Sequence, residues 1–259
     1  MKTTKILALF LAVLLCLSLV SCKRREGEAS RGLEMTLSEN GGYYIVTGIG
    51  KCKDYDVLLP KEYKGLPVAA IGERAFKGTD ITRITITENV LFIAENAFEN
   101  CASISYNELD GLRYIGTESN PMYALISVAK NSDTTFNLHK KTKILADCAL
   151  YDCDITSLSL PEGVTHIGKN ALYGCFSLKN VSLPSTLAYI GAEAFGNCGS
   201  LEEISLPKSL SYIGEKAFMY CAKLAKINFA GTEAEWSALE KSPVWDKEMK
   251  EYELIFGNN

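Results

Sequence analysis

The chain has 259 residues, 47% hydrophobic and 22% charged, an ordinary globular composition that allows one or two domains with a sizeable core. Its 27 basic and 31 acidic residues give a formal charge of −4, which disfavours nucleic acid as a partner, since such binders neutralise phosphates with a basic face. A mean hydropathy near zero argues against a polytopic membrane protein.

The N-terminus reads as a targeting segment. Lys2 and Lys5 form a basic start, and Ile6 to Ser21 then run sixteen residues without a charge, short of the roughly 20 a spanning helix needs. Leu19 is too large for the −3 position of an ordinary cleavage site ahead of Cys22. Leu19-Val20-Ser21-Cys22 instead resembles a bacterial lipobox, which implies an acylated Cys22 as the new N-terminus and attachment to a membrane through lipid. Residues 1–21 are then a lipoprotein signal peptide, and 22–32 a polar tether. A plain signal peptide or an uncleaved anchor are the alternatives, and both leave the rest of the chain outside the membrane.

From residue 71 the chain repeats. Ile167-Gly168-Lys169-Asn170-Ala171-Leu172-Tyr173-Gly174-Cys175 recurs from Ile190 to Cys198 and from Ile213 to Cys221, a period of 23. Upstream copies begin at Ile71, Ile93 and Leu145. Another rung begins at Ile115-Gly116, lacks the Ala-Phe or Ala-Leu pair, and runs 30 residues to Leu145, so residues 115–144 are predicted to bulge from the stack.

Between these motifs sits an apolar-x-x-apolar-x-apolar pattern, as in Leu201-x-x-Ile204-x-Leu206, whose last three residues predict a short strand. Pro161, Pro184 and Pro207 directly follow three such strands, where a residue without a donor N–H ends pairing. One unit cannot bury its apolar face alone, whereas stacked units share a continuous core. The fold class predicted is a mixed β/α repeat solenoid of about seven rungs over residues 71–229. Residues 33–70 would form an N-terminal cap with entry strands, and 230–259 a C-terminal cap. Within that cap, Thr232-x-x-Glu235 fits a capping box. Trp236, Leu239, Trp245 and Leu254-Ile255-Phe256 would cover the last rung.

The repeated Ile-Gly-x-x-Ala-Phe-x-x-Cys signature with Leu-Pro after the strand resembles the BspA-type leucine-rich repeat proteins of bacteria, over about residues 33–256. The flanks Gly42-Tyr43-Tyr44-Ile45-Val46-Thr47-Gly48 and Phe229-Ala230-Gly231-Thr232 match as well. The resemblance implies a surface or secreted protein, with adhesion to a matrix or to other cells as a known role in some members.

Seven cysteines follow Cys22, and five of them (Cys101, Cys153, Cys175, Cys198 and Cys221) hold one repeat position. A position fixed by period is a packing position, which predicts buried thiols rather than disulfides. Neither C-x-x-C nor any nucleophile, zincin or phosphate-loop motif occurs, and the two histidines are His139 and His166. No catalytic residue, no metal site and no cofactor are expected.

Two surfaces remain as binding candidates. The residue before each Ile-Gly forms one column, with Phe92, Tyr114, His166, Tyr189 and Tyr212 as its ring-bearing members. Such a column can bind protein or sugar rings, or the rings can pack only on each other. The mid-strand and flanking positions, including Arg83, Asn180, Glu203 and Lys226, form a polar sheet face of mixed charge. The reading is a cell-surface lipoprotein acting as a non-catalytic binding or adhesion module, with a protein or glycan ligand. The alternative is a structural scaffold of the cell envelope.

Overall fold

The computed structural model describes residues 28–129 and 136–257. The predicted signal peptide 1–21, the expected lipid-attachment residue Cys22 and the first part of the expected tether lie outside the described residues. The architecture is a β-solenoid of about nine turns, because the entry segment and the C-terminal segment each add one to the seven expected. Among the described residues the one α-helix is Glu233–Ala238, so the helical share foreseen in a mixed β/α fold comes down to a single short element. None of the described helices is long and apolar enough to cross a membrane.

Each regular rung contributes two short strands. The first is a dipeptide at the Ile-Gly motif. His166–Ile167, Tyr189–Ile190 and Tyr212–Ile213 pair in parallel register with one another, between Ile144–Leu145 and Glu240–Lys241. The second is the strand that closes the apolar-x-x-apolar-x-apolar pattern, which alternates outward polar and inward apolar side chains: Glu203–Leu206 is exposed, buried, exposed, buried. These strands form a row of three separate short sheets: Asp56–Leu58 with Arg83–Thr85, Ser157–Ser159 with Asn180–Ser182, and Glu203–Leu206 with Lys226–Phe229 and Glu253–Phe256.

The glycine after isoleucine has a steric cause. A Cβ on Gly191 would come within 2.7 Å of the Gly168 carbonyl carbon and the Lys169 nitrogen, and one on Gly168 within 2.7 Å of the Ala146 and Asp147 backbone. Neighbouring rungs pack too closely there for any side chain. The Ala-Phe turns form a second ladder: the amides of Leu150, Leu172 and Phe195 donate to the carbonyls of Ala171, Ala194 and Ala217, at 2.8 Å each.

The cysteine position joins rungs as well. The thiols of Cys101, Cys175, Cys198 and Cys221 donate to the carbonyls of Phe76, Leu150, Leu172 and Phe195 in the preceding rung, at 2.8–3.3 Å. Thr79, at the same position in the first rung, donates to Phe76 from its hydroxyl. All seven described cysteines are free thiols.

The irregular rung is a hairpin inserted into the stack. Asn107–Leu109 and Leu112–Ile115 pair antiparallel across Asp110-Gly111, and Leu112–Ile115 pairs antiparallel with Ala124–Val128. Asp110 and Gly111 both take positive φ, 49° and 74°, as a tight two-residue hairpin turn requires. Beyond Ala124–Val128 the parallel stack resumes at Ile144–Leu145.

At the C-terminal end the capping box is formed: the Glu235 amide donates to the Thr232 hydroxyl, and the Thr232 amide to the Glu235 carboxylate. Trp236, Leu239 and Trp245 are buried, with the Trp236 ring 5.2 Å from Phe229 and 5.7 Å from Trp245. Leu254 and Phe256 pack on the core, but Ile255 faces outward, because a strand can turn only alternate residues inward.

Candidate binding surfaces

The column ahead of the Ile-Gly motif forms a continuous group of rings. Tyr189 stacks on Tyr212 at 4.9 Å and 11° between planes, and His166 stacks on Tyr189 at 5.4 Å and 21°. Parallel register puts these residues one strand spacing apart, so the rings lie face against face. Phe92, in a separate sheet, meets His166 and Tyr189 edge-on at 5.3 and 5.1 Å, and Tyr43 lies 6.3 Å beyond it. All five rings are half-buried. The group therefore packs on itself and also shows ring surface to solvent.

Tyr114 does not belong to this column. It is fully buried, and its strand runs antiparallel, placing it opposite Leu125. Its hydroxyl accepts from the His139 amide at 3.3 Å, inside the inserted hairpin region. The Ile115-Gly116 motif looks like a repeat but serves a hairpin strand, and the Asp110-Gly111 turn just before it was the signal for that. Ala124 takes the column position instead, opposite Ile144, and both are fully buried.

Burial sets the electrostatics of the group. Desolvation lowers the His166 pKa to about 4, so at neutral pH its imidazole is uncharged and acts as an aromatic ring. Burial, and the nearby Tyr212, Asp147 and Tyr43, push the Tyr189 hydroxyl up to about 12. Neither Asp147 nor Tyr43 was among the binding candidates read from the sequence, Tyr43 entering only through the entry flank. Asp147 follows the repeat motif and reads as an ordinary variable position, and Tyr43 lies outside the repeats. The Asp147 carboxylate accepts from the Lys169 amide at 2.8 Å, yet burial raises its pKa to about 6.

The polar sheet face is also exposed. Arg83 pairs with Asp56 on the adjacent strand, using both Nε and Nη2. Asn180 sits opposite Ser157, and Glu203 opposite Lys226. The Asn228 side-chain Nδ2 donates to the Glu203 carboxylate at 2.5 Å. Opposite charges and amides alternate along these short sheets, so the face carries no dominant sign. Among the described residues no group of three or more His, Cys, Asp or Glu side chains is placed to hold a metal ion.

Several solved structures are similar to the chain. The pneumococcal vaccine antigen PcpA is 19% identical over 79% of this chain and 57% of its own, with a TM-score of 0.48. A leucine-rich repeat protein of T. pallidum is 19% identical over 88% of this chain and 99% of its own, at a TM-score of 0.36. One from Bacteroides ovatus is 23% identical over 90% and 71%, at 0.34. The chain thus spans little more than half of the pneumococcal antigen. No curated protein matches it. The model of the BspA-type leucine-rich repeat region matches residues 65–120 and 127–239 in six copies, more than half of the chain. With the repeat, the rung geometry and that match in agreement, the chain belongs to the BspA-type leucine-rich repeat family.

Proposed function

We propose that this protein is a lipid-anchored, extracytoplasmic binding module that holds a protein or glycan ligand on the cell surface and performs no catalysis. The observation that carries the reading is the row of stacked, half-exposed rings at Phe92, His166, Tyr189 and Tyr212. A ring that is partly desolvated and held in place by its neighbours offers contact area at low entropic cost. Family membership supports a surface location, and the Leu19-Val20-Ser21-Cys22 motif supports anchoring through Cys22.

The test is a binding screen of residues 23–259, carrying Tyr189→Ala/Tyr212→Ala or not, against immobilised matrix proteins and glycans. Saturable binding that the double variant loses supports the reading. Saturable binding that survives moves the site to the sheet face around Arg83, Asn180, Glu203 and Lys226. A folded sample that binds nothing favours an envelope scaffold. Mass spectrometry of the protein from its own host tests the anchor, and an unmodified Cys22 would remove it.

A further inference from the structure

The solenoid is split where the hairpin leaves the stack. In the rungs starting at Ile71, Leu145, Ile167 and Ile190, three alternate turn amides donate across to the next rung; in the third of these they are Asn170 to Ala192, Leu172 to Ala194 and Gly174 to Gly196, at 2.8–2.9 Å. In the first, Arg74 donates to the Asn96 side chain in place of a carbonyl. In the rung starting at Ile93 the equivalent amides are those of Asn96, Phe98 and Asn100, and none has an acceptor among the described residues.

Three other observations place the same gap. The Cys153 thiol, which by analogy would donate to the Phe98 carbonyl, turns to Tyr151 at 3.8 Å instead. The buried core divides here, with Ala97 and Phe98 in one cluster and Ala149 and Leu150 in the other. A cleft of about 470 Å³ opens between the two turns, lined among others by Glu95, Phe98, Tyr106, Ile126, Asp147 and Tyr151. One backbone bond, from the Asp147 amide to the Ile93 carbonyl at 3.0 Å, closes its inner end.

A gap whose wall carries turn amides without an acceptor among the described residues has the shape of a missing rung. Its rings suit the aliphatic part of a side chain. Its charge is negative: Glu99 is engaged by Lys77 at 2.9 Å, whereas Glu95, beside the Cys148 thiol, and Asp147, in the field of Lys169, form no ion pair among the described residues. We propose that this cleft is a docking slot for an extended, lysine- or arginine-bearing segment of a partner protein. Its backbone takes the place of the missing turn by accepting from the Phe98 and Asn100 amides, and its cation lies between Glu95 and Asp147. No ring of the tyrosine row lines the slot, but Asp147 lies within electrostatic reach of Tyr189, so the far end of the row at Tyr212 is the part independent of the slot.

The experiment uses the full-length chain in mild detergent with two acetylated heptapeptide probes, one alternating lysine and valine, the other glutamate and valine. Amide hydrogen exchange and fluorescence anisotropy are read together. In the free protein the Phe98 and Asn100 amides should exchange at least tenfold faster than those of Phe195 and Asn197. The lysine peptide should bind saturably and slow exchange in 95–101 and 146–153, and the glutamate peptide should not. The near-isosteric pair Glu95→Gln/Asp147→Asn should weaken binding at least fivefold with an unchanged circular dichroism spectrum, while Tyr212→Ala, at the far end of the ring row, leaves it intact. Phe98 and Asn100 amides as protected as their counterparts in the free protein, or equal binding of both peptides, or no protection of 95–101 by the lysine peptide, would each overturn the proposal.

Discussion

The ring of Phe92 lies 5.1 Å from that of Tyr189, edge to face at 77°, although the two belong to different sheets separated in sequence by the whole inserted hairpin. Phe92 sits on the last dipeptide strand before the hairpin, and Tyr189 on the third after it, following Ile144–Leu145 and His166–Ile167. The ring group therefore ties together the two parts of the solenoid that the cleft holds apart.

This tie should be measurable. Phe92→Ala removes edge contacts to both His166 and Tyr189 along with the buried part of its own ring. An aromatic pair is worth about 0.5–1.5 kcal/mol beyond area burial, so a loss of about 1–3 kcal/mol is expected. Tyr212→Ala removes one stacking partner at the far end of the group and should cost less. Guanidinium unfolding followed by circular dichroism compares the two. Equal costs would mean that Phe92 does not bridge the parts.

The glycine contacts predict a sharp contrast within one chain. Gly191→Ala places a methyl 2.7 Å from backbone atoms of the rung below, which have no flexible end to move aside. Overpacking of this kind costs about 1–3 kcal/mol. Gly199→Ala, whose Cβ meets nothing within 4 Å, should change stability by less than about 0.5 kcal/mol. A thermal shift for Gly199→Ala as large as that for Gly191→Ala would show that close rung approach is not the reason for glycine.

Most of the solenoid could be read from period alone, because equal spacing forces equal register. His166, Tyr189 and Tyr212 align for that reason, and so do the cysteines that donate to the rung before them. Where spacing changes, periodic reasoning loses its basis. Tyr114 was assigned by motif, yet the Asp110-Gly111 turn reverses its strand and sends its ring inward. The contacts of Phe92 across the insertion, and the part played by Asp147, depend on how the chain closes behind the hairpin. No local pattern encodes that closure.

The same periodicity suggests a stabilising substitution. The residue before each ladder cysteine, or before Thr79, takes positive φ: Gly78 at 65°, Asn100 at 58°, Asp152 at 55°, Gly174 at 78°, Asn197 at 58° and Tyr220 at 56°. Five of the six are residue types that tolerate this region, whereas Tyr220 is a bulky exception and half-exposed. Tyr220→Asn should raise stability by about 0.5–1 kcal/mol, seen as a higher denaturation midpoint with an unchanged slope. A fall would mean that the tyrosine ring makes a compensating contact.

The buried thiols should be chemically silent. Desolvation pushes Cys175 up to about 12 and Cys153 up to about 11, and Cys198 is raised further by its hydrogen bond to Cys221 and by burial. The thiolate is the reactive form, so iodoacetamide at pH 8 should leave these cysteines unmodified in the folded chain and alkylate all of them in guanidinium. Mass spectrometry of tryptic peptides reads the outcome. Rapid labelling of Cys175 or Cys198 without denaturant would contradict their burial.

Asp147 and His166 should work against each other as pH falls. Burial raises Asp147 in the folded state to about 6 from an ordinary 3.8, so the folded form binds its proton more tightly than the unfolded form does. That contribution is fully present below about pH 4 and is lost as pH rises through 6. Burial lowers His166 to about 4 from 6.5, so folding disfavours its proton; its contribution is present above 6.5 and is lost as pH falls through 4. Between pH 4 and 6 the two slopes have opposite sign and partly cancel. Asp147→Asn removes one of them, so the variant should lose stability on acidification more steeply than the parent, by about 1 kcal/mol over the window once solvent screening is allowed for. His166→Gln should do the reverse and flatten or invert the acid limb. Urea midpoints at pH 4, 5, 6 and 7 for the three proteins decide the matter, and parallel curves for Asp147→Asn and the parent would show that this carboxylate titrates as it does in the unfolded chain.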